Sequence, residues 1–268
     1  MGNPIHHSRS PQIHTLFAQQ TGQRLYYDTI FVELGGLEQA IGNFYGSGGR
    51  GLNITVPFKE EAAALADSLS ERASLAGAVN TLHFDSSGKI IGDNTDGAGL
   101  LQDLQHNLQQ PLAAKRLLIL GAGGAVRGIL APLLHCQPAN ITIANRSVGR
   151  AESLQQQFSA VKGHCDFQAG SFTQIEAAPY DLIINATAAS LQGELPPLPA
   201  ACVASHTLCY DLMYAPQPTP FMRWGEAQGA ARAVDGLGML VEQAAAAFAI
   251  WRGVMPQTAA VIAALRQP

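Results

Sequence analysis

Apolar positions along this chain follow two spacings that take turns. Residues 11–20 read as a helix that Gly22 stops, and residues 37–45 are amphipathic at helical spacing. Residues 26–32, rich in β-branched and aromatic side chains, predict a strand. Residues 52–56 predict a short strand halted by Pro57, with an alanine-rich helix after Lys59. Residues 79–84 and 89–91 predict a hairpin around Ser86-Ser87-Gly88, after a glycine-rich turn at residues 46–51. The middle of the chain changes character. Residues 116–120 form a nearly unbroken apolar run, as expected of a strand buried on both faces. A glycine-rich turn follows at once, then an apolar helix to about Cys136, a strand at 140–144, a helix at 151–158 and a strand at 181–186. Alternating strands and helices predict a parallel sheet with right-handed crossovers. Residues 195–199 are a proline-rich loop, and residues 238–251 a long alanine-rich helix.

Composition narrows the picture further. A chain of 268 residues suits one large domain or two ordinary ones. Charged residues are 13% of it and the net charge is −4, so no global positive field exists to hold nucleic acid or an anionic membrane. The four cysteines form no C-x-x-C pair, and the eight histidines form no H-E-x-x-H, so no metal site is expected. Few cysteines and no signal peptide point to a cytoplasmic location. Residues 117–134 are apolar enough to mimic a membrane span, but four glycines and Arg127 interrupt them.

Three segments carry candidate chemistry. Gly121-Ala122-Gly123-Gly124-Ala125 joins a buried strand to a helix, which brings backbone N–H groups and the positive helix end to one point suited to a pyrophosphate. The pattern is imperfect, because Val126 stands where a third glycine is usual and Ala125 or Gly128 must supply the close contact. An NAD site expects an acidic residue at the end of the next strand. Here Asn145-Arg146-Ser147 and Arg150 stand there, which suits a 2′-phosphate and favours NADP. Asn53 and Thr55 share one strand face, and Lys59 falls in the first turn of the next helix, where the dipole favours the neutral amine of a proton donor and acceptor. The alternative is an exposed lysine balanced by Glu60 and Glu61. Asp96 either caps its helix or faces Lys59. Ser8 and Ser10 precede a helix opened by Pro11 and either hold a carboxylate or supply an ordinary cap.

These motifs resemble the shikimate dehydrogenase family over essentially the whole chain. The matching segments are Gly2-Asn3-Pro4-Ile5 with Ser8-x-Ser10-Pro11, Asn53-x-Thr55-x-Pro57-x-Lys59, Gly77-Ala78-x-Asn80-Thr81 and Asn94-Thr95-Asp96-Gly97. They continue through the glycine turn and Asn145-Arg146-Ser147-x-x-Arg150 to Asp235-Gly236-Leu237-Gly238-Met239-Leu240. The resemblance implies an α/β protein of two domains with a cleft between them. The substrate domain would span residues 1–96, completed by helices in 241–268, and a Rossmann-like, doubly wound NADP-binding domain residues 97–240. The implied reaction is the reversible reduction of 3-dehydroshikimate to shikimate by NADPH. By the same resemblance, Ser8, Ser10 and Tyr214 would hold the substrate carboxylate, and Thr55, Lys59, Asn80, Asp96 and Gln243 the ring hydroxyls. Lys59 would exchange the proton, paired with Asp96. Gly121, Ala122, Gly123, Gly124 and Ala125 would cradle the pyrophosphate, and Asn145, Arg146, Ser147 and Arg150 the 2′-phosphate. Leu212 and Gly236 would lie near the nicotinamide, and Glu71 near the cofactor edge.

The chain departs from the family at three points. Ser147 replaces a common threonine, and Ala188-Ala189-Ser190 replace polar and glycine residues. The chain also starts at the Gly-x-Pro-Ile loop itself, so it is expected to be one strand short at its N-terminus, with lower stability and weaker substrate binding. The rival functions are a quinate/shikimate dehydrogenase using NAD and a catalytically silent NADP-binding sensor. The expected assembly is a monomer or homodimer, with no nucleic-acid or membrane partner.

Overall fold

The structure is a computed structural model that describes residues 1–187, 189 and 193–267. The chain divides into two compact units, Met1–Leu100 with Leu240–Pro268, and Leu101–Met239. Both divisions fall inside helices, a few residues from the boundaries expected at 96 and 240.

The first unit opens with α1 (Ser10–Thr21) and α2 (Leu37–Gly46). Pro11 fits the first turn of α1 because its missing N–H has no helical partner there. Ile13, His14, Phe17 and Ala18 form its buried face. Then come β1 (Gly51–Asn53), α3 (Lys59–Leu65), β2 (Ser68–Leu69), α4 (Glu71–Ala76), β3 (Thr81–Phe84), β4 (Ile90–Asp93) and α5 (Asp96–Gln102). The strands lie in the order β1-β3-β4-β2, antiparallel except for the β2–β4 pair. One core joins Val32, Leu37, Ile41, Leu52, Ile54, Phe58 and Leu82.

Two expected strands come out shorter. Residues 26–32 make no ladder, only a bridge from Phe31 to Gly2. Their neighbour is the short stretch 1–3, and Pro4 has no N–H to continue the pairing. The strand expected over 52–56 is regular only to Asn53. Beyond it the backbone bonds pass to residues 1–3, with Thr55 N–H donating to Met1 O at 3.0 Å and Asn3 N–H to Val56 O at 2.9 Å.

The second unit contains a π-helical turn (Asp103–Asn107), β5 (Arg116–Leu120), α6 (Gly124–His135), β6 (Asn140–Ala144), α7 (Val148–Gln157) and β7 (Asp166–Gly170). β8 (Leu182–Asn185), β9 (Leu208–Asp211), α8 (Pro220–Ala227) and β10 (Arg232–Val234) follow. All six strands are parallel, in the order β7-β6-β5-β8-β9-β10. That is the doubly wound order of a dinucleotide-binding sheet, and the winding direction reverses between β5 and β8. The central strands are buried on both faces, which explains their unbroken apolar sequences. The last two helices are α9 (Leu237–Arg252) and α10 (Ala259–Arg266). Among the described residues no helix is long and apolar enough to cross a membrane, and no acidic, His or Cys cluster could hold a metal.

Candidate active site

In the first unit, four of the expected side chains form one buried polar cluster. Lys59 opens α3, and its Nζ donates to Asp96 Oδ2. Their side chains are 14% and 6% exposed, so water screens the pair little. Asp96 begins α5, and its carboxylate serves this cluster instead of a cap, while its own N–H donates to Asn94 Oδ1 at 3.1 Å. Asn80 Nδ2 donates to Asp96 Oδ1 at 2.8 Å and to Gln243 Oε1 at 3.2 Å. Asn80 Oδ1 accepts from Thr95 N–H at 2.9 Å. Val79 N–H donates to Lys59 O at 2.8 Å, which ties the start of α3 to the residue before Asn80. Glu60 and Glu61 in the same helical turn meet the dipole's preference for anions.

Ser8, Ser10 and Thr55 belong to the same unit. Ser8 Oγ accepts from Ser10 N–H at 3.2 Å, and Arg9 is the capping position of α1, so Ser10 is not the cap. Ser10 stands beside the Tyr27 phenol, which burial pushes up and Ser10 opposes in part. Thr55 is half-buried, and its carbonyl accepts from Phe58 N–H at 3.0 Å in the turn that leads into α3. Glu71 is exposed at the start of α4, and the structure does not bring it into the cluster. Tyr214 is half-buried in the second unit, in the segment after β9.

The second unit carries the expected cofactor residues. Gly121 follows β5 directly with φ +111°, a conformation side chains rarely adopt, and an added Cβ would lie 3.1 Å from Ala186 O. α6 then begins with no acidic residue and no side-chain cap in its first turn, so its N–H groups remain for an anion. Val126 is fully buried at the usual third-glycine position, and Gly128 is buried as well. Arg146, Ser147 and Arg150 are exposed beyond β6, and neither guanidinium forms an ion pair among the described residues. Asn145 Nδ2 donates to Ser147 O at 2.9 Å and shapes that turn. Leu212 and Gly236 meet: Gly236 packs so closely on the Leu212 carbonyl that no Cβ fits. Of the segment departing from the family, Ala188 and Ser190 lie outside the described residues.

Sequence reasoning missed two supporting groups. One is Thr81 and Thr95, which bond Asn80, with Tyr27 behind them on Asn53; the paired Asn-Thr steps at 80–81 and 94–95 were the available signal. The other is Asp211, fully buried at the end of β9. It accepts from Asn185 Nδ2 at 3.1 Å, Met213 N–H at 3.1 Å and Thr219 Oγ1 at 2.7 Å.

Known proteins of the same kind fall in line with this arrangement. The model of the shikimate dehydrogenase substrate binding domain matches residues 1–82, that of shikimate / quinate 5-dehydrogenase residues 103–192, and that of the shikimate 5′-dehydrogenase C-terminal domain residues 236–266. A shikimate dehydrogenase (NADP(+)) from Alkalilimnicola ehrlichii is 55% identical over 99% of this chain and 97% of its own length. The chain belongs to the shikimate dehydrogenase family. Solved structures of this kind share the fold. An Ael1 enzyme from Pseudomonas putida superposes with a TM-score of 0.90 at 47% identity, over 100% of this chain and 97% of that one. A shikimate 5-dehydrogenase from Thermus thermophilus, in complex with NADP(H) and shikimate, gives 0.85 at 31% identity, over 99% and 97%. The chain therefore has the family's two domains, an N-terminal α/β substrate-binding domain and a Rossmann-like NADP-binding domain.

Proposed function

We infer that this chain catalyses the reversible reduction of 3-dehydroshikimate to shikimate by NADPH, a step of aromatic amino acid biosynthesis. The observation that carries the reading is the shielded Lys59–Asp96 pair, joined through Asn80 to Gln243, in a member of this family. The substrate is a ring with hydroxyls and a carboxylate, and a cluster of Lys, Asn, Asp and Gln matches the hydroxyls. Ser8 and Ser10 at the start of α1, with Tyr214, are assigned to the carboxylate, and Thr55 to a ring hydroxyl. The first unit is assigned to substrate and the second to cofactor. A cytoplasmic location belongs to the same proposal.

The second unit fits NADP by its own chemistry. Only glycine suits the backbone at residue 121, the first turn of α6 holds no acidic residue and no side-chain cap, and the two guanidiniums beyond β6 form no ion pair among the described residues. Gly121, Ala122, Gly123, Gly124 and Ala125 are assigned to the pyrophosphate. Asn145, Arg146, Ser147 and Arg150 are assigned to the 2′-phosphate, and Leu212 and Gly236 to the nicotinamide end. Glu71 remains assigned to the cofactor edge on resemblance alone. NADPH, when bound, supplies hydride to the ketone carbon. Lys59 then gives its proton to the new alkoxide oxygen, and in the reverse direction it takes the proton from the hydroxyl. Asp96 keeps the ammonium aimed through Oδ2 while Asn80 occupies Oδ1. The test is turnover of shikimate by Lys59→Ala and Asp96→Asn, each beside the unaltered protein. Normal turnover in both would remove the pair from the mechanism.

A further inference from the structure

We propose that Tyr27, Asn53 and Thr81 are positioning residues that fix which way the Asn80 amide faces. The inference rests on the assignment of Asn80 to the substrate site. An amide can rotate to exchange its donor and acceptor ends, so the neighbours of Asn80 decide its orientation. Its Oδ1 accepts from the Thr95 N–H at 2.9 Å, the Thr81 hydroxyl at 2.8 Å and the Thr95 hydroxyl at 3.2 Å. Its Nδ2 is thereby left facing Asp96 Oδ1 and Gln243 Oε1.

The Thr81 hydroxyl has one proton; Thr95 Oγ1 lies 3.5 Å away, and the proton goes to Asn80 when the nearer second neighbour of Thr81 is a donor. That neighbour is Asn53 Nδ2, at 3.2 Å, which also donates to Asn80 O at 3.2 Å. Asn53 in turn holds this orientation because Tyr27 Oη donates to its Oδ1 at 2.9 Å. The line of donors therefore runs one way, from Tyr27 through Asn53 and Thr81 to Asn80 and Asp96. His14 keeps the Tyr27 ring in place by stacking flat on it, with ring centroids 4.3 Å apart and planes 11° apart. Ser10, assigned to the substrate carboxylate, stands beside the same phenol. The line thus links the carboxylate side of the site to the Lys59–Asp96 side. If Asn80 turned over, its oxygen would face the Asp96 carboxylate, and the donor that holds Asp96 Oδ1 would be lost.

Thr81→Val keeps shape and burial while removing the hydroxyl. We expect it to lower kcat for shikimate by roughly tenfold, the effect of about 1.4 kcal/mol on a barrier, while KM for NADP stays unchanged. Thr81→Ser restores a hydroxyl and should recover most of the loss. Tyr27→Phe, one step further out, should lose less than Thr81→Val. Asn80→Ala is the companion variant. If Asn80→Ala leaves shikimate turnover and KM intact, the site assignment itself fails. If Asn80→Ala is impaired but Thr81→Val turns over normally, or Thr81→Ser performs no better than Thr81→Val, the positioning line is wrong and the site assignment stands. A protein melted by Thr81→Val is distinguished by its circular dichroism, and Tyr27→Phe then decides: normal kcat and KM in a folded Tyr27→Phe overturns the proposal.

Discussion

Lys59 donates to a carboxylate that also accepts from Asn80, so removing either partner leaves the other charge poorly matched in a shielded place. We predict that Lys59→Ala lowers kcat by roughly 10²–10⁴. Asp96→Asn should slow turnover too, and the double variant should lose less than the product of the single losses, because the two act as a unit. Fully multiplicative losses would mean independent roles; a raised KM at normal kcat would make Lys59 a binding group only. Arg146 and Arg150 form no ion pair among the described residues, so each is available to a phosphate. Replacing either with Ala should weaken NADP use by about ten- to a hundredfold, the worth of a charge-assisted bond, while sparing NAD. Equal losses with the two cofactors would show that the pair does not read the phosphate. His14 invites a pH experiment. It is fully buried among Phe17, Tyr27, Phe248 and Trp251, and burial pushes its pKa down to about 3, opposed only in part by Asn53. Below pH 6.5 the unfolded chain binds a proton that the native chain refuses, so stability falls as pH falls from about 6.5 toward 3. The slope is about 1.4 kcal/mol per pH unit for this group. Urea midpoints at pH 7.5 and 5 should diverge less in His14→Phe; identical divergence would clear His14 of this role. The pairing of Lys59 with Asp96 was implied by the resemblance, but the bonds from Asn80 to Asp96 and to Gln243 were not. Gln243 lies 163 residues beyond Asn80 in sequence, and only the folding of α9 onto the first unit brings the two together.

α8 begins at Pro220 after Thr219, whose Oγ1 accepts from Met222 N–H at 3.2 Å and donates to buried Asp211. Thr219→Ala removes a helix cap and one hydrogen bond to buried Asp211, so it should destabilise the protein by about 1–3 kcal/mol. A denaturant midpoint unchanged from the parent would contradict this. The Thr-Pro step marks that helix start in the sequence, and Ser70 with Gly77 likewise frames α4, yet both helices are too short for their apolar spacing to declare them. β5 and β6 were legible to the residue because strands buried on both faces are largely apolar and rich in β-branched or aliphatic side chains, here Leu117 to Leu120 and Ile141 with Ile143. β2 and β10 have two and three residues, too few to show a period. The run at 26–32 has strand composition but lacks a partner long enough to pair with, and composition cannot report what lies alongside.

A net charge of −4 argues against polyanion partners, yet both expected ligands are anions. The uncapped start of α6 and the exposed Arg146 and Arg150, which form no ion pair among the described residues, offer local sites for an anion without a broad basic face. The six-stranded parallel order, reversing beside β5, puts the glycine turn where such sheets take a dinucleotide, and the unit with the smaller mixed sheet holds the Lys59–Asp96 cluster. Division of labour into cofactor and substrate units was legible from motif order along the chain, whereas the β9–β10 edge and the Asp211 network were not, because their polar residues are single and widely spaced. One assay bears on all of this: the purified protein with shikimate or quinate, each with NADP or NAD, followed by the absorbance of the reduced nicotinamide. The account predicts fast reduction of NADP with shikimate and a much slower rate with NAD. No reduction with shikimate under any pairing, or equal rates with the two cofactors, would contradict it.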